Sequence, residues 1–222
     1  KKGIDADPEF ALNHTVYARV QQLSGRMAEA KASGERGVKL AKKATDREKQ
    51  HAQIFQLLTS GQGPKGLELI QSHVQQHKLD AFALAPACSV FGLIGFSGRI
   101  DREDEQVSLL EPLETAYGDD WWFLTVYGFA LVEIGEWKRG RDMVERALEQ
   151  RPRSAHTAHV RAHALYEAGE DHALANYLQE WLPDYSSDCP LSCHIWWHLC
   201  LAKLMIGETE SIFKIYDQHC AP

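Results

Sequence analysis

The 222-residue chain has no apolar run that reaches the roughly 18 residues a membrane-crossing helix needs, which argues against a membrane partner. It has no excess of positive charge either. The formal net charge is −7. A nucleic acid or an anionic membrane surface needs a basic face, so both are excluded as expected partners. There is no disulfide framework: Cys88, Cys189, Cys193, Cys200 and Cys220 are odd in number and irregular in spacing. Free thiols in a reducing, cytoplasmic compartment are expected. Alternating β-branched runs are missing, which excludes a sheet. No glycine-rich dinucleotide fingerprint, phosphate loop or HExxH pair occurs, so those chemistries lack their residues. Lys1 to Pro8 is polar and has no apolar signal-peptide core. The chain does not begin with Met, which leaves a removed leader open.

What is present is helical. Apolar residues recur at helix spacing almost throughout, broken by short stretches with Gly, Asp or Pro. The clearest unit is Trp121 to Pro152, with Leu124, Tyr127–Gly128 and Leu131, then Gly135, Gly140, Val144 and Ala147. This is the large–small pattern of a tetratricopeptide helix pair, with Gly140 in place of the usual Ala. A Gly between the two helices of each pair supplies a left-handed helix end. Gly61, Gly98, Gly135, Gly169 and Gly207 are spaced by 37, 37, 34 and 38 residues. The expected fold is therefore all-α, a right-handed α–α superhelix (a tetratricopeptide-like solenoid) of about six helix pairs. Their bounds are roughly 7–45, 46–79, 80–118, 119–153, 154–188 and 189–222, within one repeat domain.

Repeats of this kind stack into a superhelix whose concave side is lined by the first helix of each pair. With the turn Gly at position 15, positions 2, 5, 6, 9, 12 and 13 of the first helix face that groove. They include Glu48, His51 and Phe55 in the second pair, beside Arg47. The third pair offers Ala85, Cys88, Ser89 and Gly92. The fourth offers Trp122, Thr125, Val126 and Phe129. The fifth offers His156, His159 and His163, and the sixth His194, Trp197 and His198. Trp121–Trp122 and Trp196–Trp197 are each expected to send one ring to the core and one to the groove.

His159/His163 and His194/His198 are i, i+4 pairs on neighbouring inner helices, so they can converge on one point. Neutral imidazoles on a rigid frame suit zinc or another divalent metal. One zinc at about 2 Å per ligand requires ring nitrogens closer together than about 8 Å. A His-rich polar ligand pocket and a structural hydrogen-bond network are the alternatives. Two functions are carried forward. The first is a repeat scaffold that binds a partner peptide or a small ligand in a His/Trp-lined groove. The second is a metal-dependent or acid–base small-molecule enzyme using the same histidines. Pairing with a second copy through the solenoid ends is a further expectation.

Several segments resemble the tetratricopeptide repeat protein 38 family. They are Thr45-Asp-Arg-Glu48 followed by His51, His159-Val-Arg-Ala-His163, Cys193-His-Ile-Trp-Trp-His198, Tyr216-Asp-Gln-His219, and Asp7-Pro-Glu-Phe10 with His14. The resemblance runs through the chain. It implies an all-helical repeat fold, a mostly cytosolic protein and members that extend beyond both ends seen here. It places polar residues at Arg47, Glu48, His51, His159, His163, His194, His198 and His219. Tyr166 stands where that family often has Glu.

Overall fold

The computed structural model describes residues 1–88 and 91–221. Among them the regular elements are all helices, and none is long and apolar enough to cross a membrane. The chain divides into two compact units, Lys1–Tyr117 and Gly118–Pro222.

The first unit holds α1 (Lys2–Ala6), α2 (Ala11–Leu23), α3 (Met27–Ala41), α4 (Asp46–Thr59), α5 (Gly63–Gln76), α6 (Ala81–Leu84), α7 (Arg102–Leu110) and α8 (Glu114–Tyr117). Helices α2 and α3 form one pair, α4 and α5 the next, and α2 also packs on α4. Helix α4 starts where a capping box forms. The Thr45 side chain accepts from the Glu48 N–H, and the Glu48 carboxylate accepts from the Thr45 N–H. Its inner face buries Ala52, Ile54, Phe55 and Leu58.

The third pair departs from expectation. Its first helix stops after the single turn α6, continues as a 3-10 turn over Ala85–Ala87, and is extended at Cys88. Pro86 has no N–H to give the α-helical ladder, so the helix tightens to a 3-10 turn there and ends. Gly92 comes so close to the Cys88 carbonyl that a Cβ would stand 2.1 Å from its oxygen, so this bend needs glycine. Ala85, Cys88 and Gly92 therefore do not share an inner helix face, and Cys88 is buried. Ser89 lies outside the described residues.

The second unit holds α9 (Trp121–Glu133), α10 (Trp137–Gln150), α11 (Ala155–Glu167), α12 (Asp171–Trp181), α13 (Ser192–Met205) and α14 (Glu210–His219). Asp120 and Ser154 cap α9 and α11, their side chains accepting from the N–H groups of Phe123 and Thr157. The turn glycines Gly61, Gly98, Gly135, Gly169 and Gly207 all have positive φ. Inside the fourth pair, a Cβ on Gly140 would lie 2.6 Å from the Gly128 carbonyl oxygen. The two backbones approach too closely for the usual Ala.

First helices follow one another in this unit: α9 contacts α11, and α11 contacts α13. A shared core of Ala158, Ala162, Leu165, Leu174, Leu178, Ile195 and Leu199 joins α11, α12 and α13. Full burial of each Leu or Ile contributes about 1.5–3 kcal/mol. That packing fixes the backbone of α11 against α13, and so fixes the side chains on their common face.

Candidate metal centre

Helix α11 carries His159 and His163 four residues apart, and α13 carries His194 and His198 in the same way. Their Cβ atoms therefore stack in two columns. Across the α11–α13 interface the columns meet. One ligand nitrogen from each of the four histidines lies within 4.8 Å of every other. His159 Nε2 stands 3.0 Å from His163 Nε2 and 2.9 Å from His194 Nε2. His194 Nε2 stands 3.1 Å from His198 Nε2.

These distances cannot all be hydrogen bonds. A neutral ring nitrogen carries either one proton or one lone pair, directed in the ring plane. His159 Nε2 has two such neighbours, and so does His194 Nε2. Each can satisfy one of them. A cation at the common point removes the conflict, because four lone pairs can then point at a single positive charge. An ideal tetrahedral zinc site with bonds of about 2.0–2.1 Å has N···N edges of roughly 3.3–3.4 Å. The three shortest contacts fall a few tenths of an ångström below that edge, and the other pairs lie within 4.8 Å, so small ring rotations would bring the four nitrogens to a tetrahedron.

The tautomers agree with this arrangement. His163 Nδ1 donates to Glu133 Oε1 at 3.0 Å. The proton is thus held on Nδ1, and the Nε2 lone pair faces inward. A carboxylate behind a histidine is the usual support of a metal-ligating imidazole. The charge balance agrees as well. Burial, followed by the facing His163, His198 and His194, pushes the His159 pKa down to about 2. Burial with His163 and His194 pushes His198 down to about 3. His194 is lowered by burial and by His163. His159, His194 and His198 therefore disfavour a proton and keep their lone pairs.

Aromatic rings wall the cluster. Phe129 of α9 lies over His159 and edge-on to His163, with centroids 6.1 and 5.6 Å away. Trp197 stacks on His194 at 5.8 Å and is 42% exposed, so it forms the open side. Trp196 is half-buried and stacks on His219 at 3.7 Å and 4°. In the second tryptophan pair the half-buried Trp196 packs against the core and Trp197 is exposed, whereas Trp121 and Trp122 are both half-buried.

The remaining anticipated residues have other surroundings. His156 is exposed and is not among the converging four. Thr125 is buried and meets Thr157 Oγ1 at 2.8 Å across the α9–α11 contact. Arg47, Glu48 and His51 belong to the first unit. Glu48 is engaged in the α4 cap. His51 is only 3% exposed and is drawn inward by Asp80, to which its Nδ1 donates at 3.1 Å. His73 Nε2 and Arg47 Nε donate to the same carboxylate at 3.2 and 3.0 Å. Burial alone would raise the Asp80 pKa. The bonds from His51 and His73 and the charges of His51 and Arg47 outweigh it and hold the carboxyl well below the ordinary range. His51 is thus part of a buried polar knot and does not face an open groove.

Sequence reasoning missed Glu133 and Asp80. The first was within reach, since the register that places Phe129 at position 9 places Glu133 at position 13, also inward. Nothing in the local pattern marks Asp80 as a hub, because its partners lie up to 33 residues away.

No family model matches the chain. Among solved structures it is similar to a tetratricopeptide repeat protein from Parabacteroides merdae ATCC 43184. The sequence identity is 10%, the match covers 96% of this chain and 81% of that one, and the TM-score is 0.64. A putative kinesin light chain with nearly identical TPR-like repeats from Podosopora anserina aligns at 16% identity over 95% and 93% of the two chains, with a TM-score of 0.39. The first likeness gives this chain an all-α, tetratricopeptide-like helical-repeat fold.

Proposed function

We propose that this chain is a helical-repeat binding scaffold whose inner helices α11 and α13 are clamped together by one divalent transition metal, zinc being the best fit, on His159, His163, His194 and His198. The observation that supports this reading is the mutual approach of four imidazole nitrogens that cannot all hydrogen-bond to one another. Four protein ligands complete the tetrahedron zinc prefers and leave no open position, as in structural sites. The role is then to set the shape of a binding surface. The partner, a peptide or a small ligand, rests beside the cluster on the exposed ring of Trp197. A metal that takes six ligands would keep two positions open, and the enzymatic alternative would have to operate there.

The test is elemental analysis of protein purified without a His tag, alongside His159→Ala and His194→Ala. One metal per chain in the parent and none in either variant is the expected result. A metal-free parent, with both variants as stable as the parent, would remove the proposal. Fluorescence of Trp197, compared with a Trp197→Phe control, checks the surface. Metal loading is expected to change its emission, because its ring lies against His194.

A further inference from the structure

The first unit contains a cleft of about 410 Å³, a size at the lower end of small-molecule sites. Its walls are apolar: Leu58, Pro86 and Leu93, with Phe91 and Phe96. These two rings lie 5.8 Å apart and are 69% and 71% exposed, so two large aromatic side chains stand in water beside a cavity. The one charged side chain among the lining residues is Arg19 of α2.

Arg36, Arg47, Arg141 and Arg161 each hold a carboxylate. Arg19, like Arg26 and Arg153, holds no carboxylate, but among the described residues it is the one of these three that is partly buried in the wall of this cleft. Its Nη1 donates to Gln22 Oε1 at 2.7 Å, and Gln22 Nε2 in turn donates to the Leu58 carbonyl at 3.1 Å. The side chain is thus held in place by a neutral tether. One of its five N–H groups is used, and the rest of the planar fork remains available. Burial without a counter-charge lowers its pKa, the sign of a cation that lacks its anion. A guanidinium fork matches a carboxylate by two parallel hydrogen bonds.

We propose that this cleft binds a small monocarboxylic acid with an apolar or aromatic body. The carboxylate accepts from Arg19, and the body covers Phe91, Phe96, Leu58 and Leu93. A single cation at the site selects a single acid group. The proposal concerns residues of the first unit and does not depend on the histidine cluster.

The experiment is a proton–nitrogen NMR titration of the full chain with 3-phenylpropanoate and, separately, with its uncharged isostere 3-phenylpropanamide. The acid is expected to bind at least about tenfold more tightly, and the shifts are expected to map to Leu58, Gly61 and Leu93. Arg19→Met keeps the aliphatic stem and removes the fork, so it is expected to abolish the difference between acid and amide. Phe96→Ala touches no buried core and is expected to weaken both ligands equally. A peptide with a C-terminal Phe carries the same carboxylate on a body too large for the cleft, and is expected to bind no tighter than the acid. The proposal is overturned by equal binding of acid and amide, by no saturable binding of either up to roughly millimolar concentration, or by an unchanged preference in Arg19→Met. Peptide binding tighter by about tenfold or more also overturns it, by assigning the cleft to a protein C-terminus.

Discussion

Zinc is expected to raise the thermal stability of this chain, and the structure says by how much each of two substitutions should reduce the effect. At free zinc near 100 times its dissociation constant, linkage adds about 2.7 kcal/mol to the folded state. For a chain of this size about 2–4 °C accompanies each kcal/mol, so the midpoint should rise by about 5–10 °C. Glu133 touches no metal. It holds the Nδ1 proton of His163 and thereby aims the Nε2 lone pair. Removing such a support typically weakens metal binding by 10–100-fold. Glu133→Ala at the same free zinc should then keep only about 0.4–1.4 kcal/mol, or roughly 1–6 °C. His159 lies at the middle of the cluster, with both His163 and His194 about 3 Å from its Nε2. His159→Ala should abolish the zinc-dependent shift. Differential scanning fluorimetry over a zinc titration, with a chelator blank, measures all three proteins. A full shift in His159→Ala, or equal shifts in Glu133→Ala and the parent, would refute the assignment of ligands and support.

Other consequences can be measured directly. Without metal, the second unit should lose stability as pH falls below about 6.5. The unfolded chain binds protons on His159, His194 and His198 there, and the folded cluster, with pKa values near 2 and 3 at His159 and His198, does not. Circular dichroism melts between neutral and acidic pH follow this, and a flat profile would contradict the burial of these rings. Asp80→Asn should cost about 3 kcal/mol in urea unfolding by leaving His51, His73 and Arg47 around an uncharged group. A loss under about 0.5 kcal/mol would show the knot to be incidental. Gly135→Val places a β-branched residue at φ +86 and should destabilise by about 1–3 kcal/mol, with Gly135→Asn milder. Equal melts for parent and Val variant would mean that the turn register is wrong. Gly140→Ala should also lose about 1–3 kcal/mol, because its Cβ meets the Gly128 carbonyl and Val132. No loss would mean that α9 and α10 stand farther apart than the structure has them.

Much of this was legible in the amino-acid order because it depends on local chemistry. A left-handed turn selects Gly wherever it recurs, so five glycines at near-constant spacing gave the repeat register. That register carried the inner faces of α11 and α13 with it, since a helix fixes side-chain direction at every position once one is known. The third pair departs because a turn glycine marks the end of a pair without guaranteeing a full helix before it. Pro86 and the close backbone approach at Gly92 override the repeat there. His51 lies on a helix, as the spacing implies, but on the buried side of it. What buries it is Asp80, 29 residues along the chain, and the stacked ring of Phe82. Sequence periodicity reports which face a residue occupies. It does not report what that face meets.

The histidine cluster takes two of its members from each of two consecutive repeats. In a repeat array each unit gains stability chiefly from its neighbours, so the strength of each junction determines where the array opens. A metal bound across α11 and α13 belongs to neither repeat alone; it strengthens only their junction. Loading it should therefore turn two helix pairs that can open one after the other into a single cooperative block. Amide exchange would show this as a common, slower rate across residues 155–205, with the helices on either side unaffected.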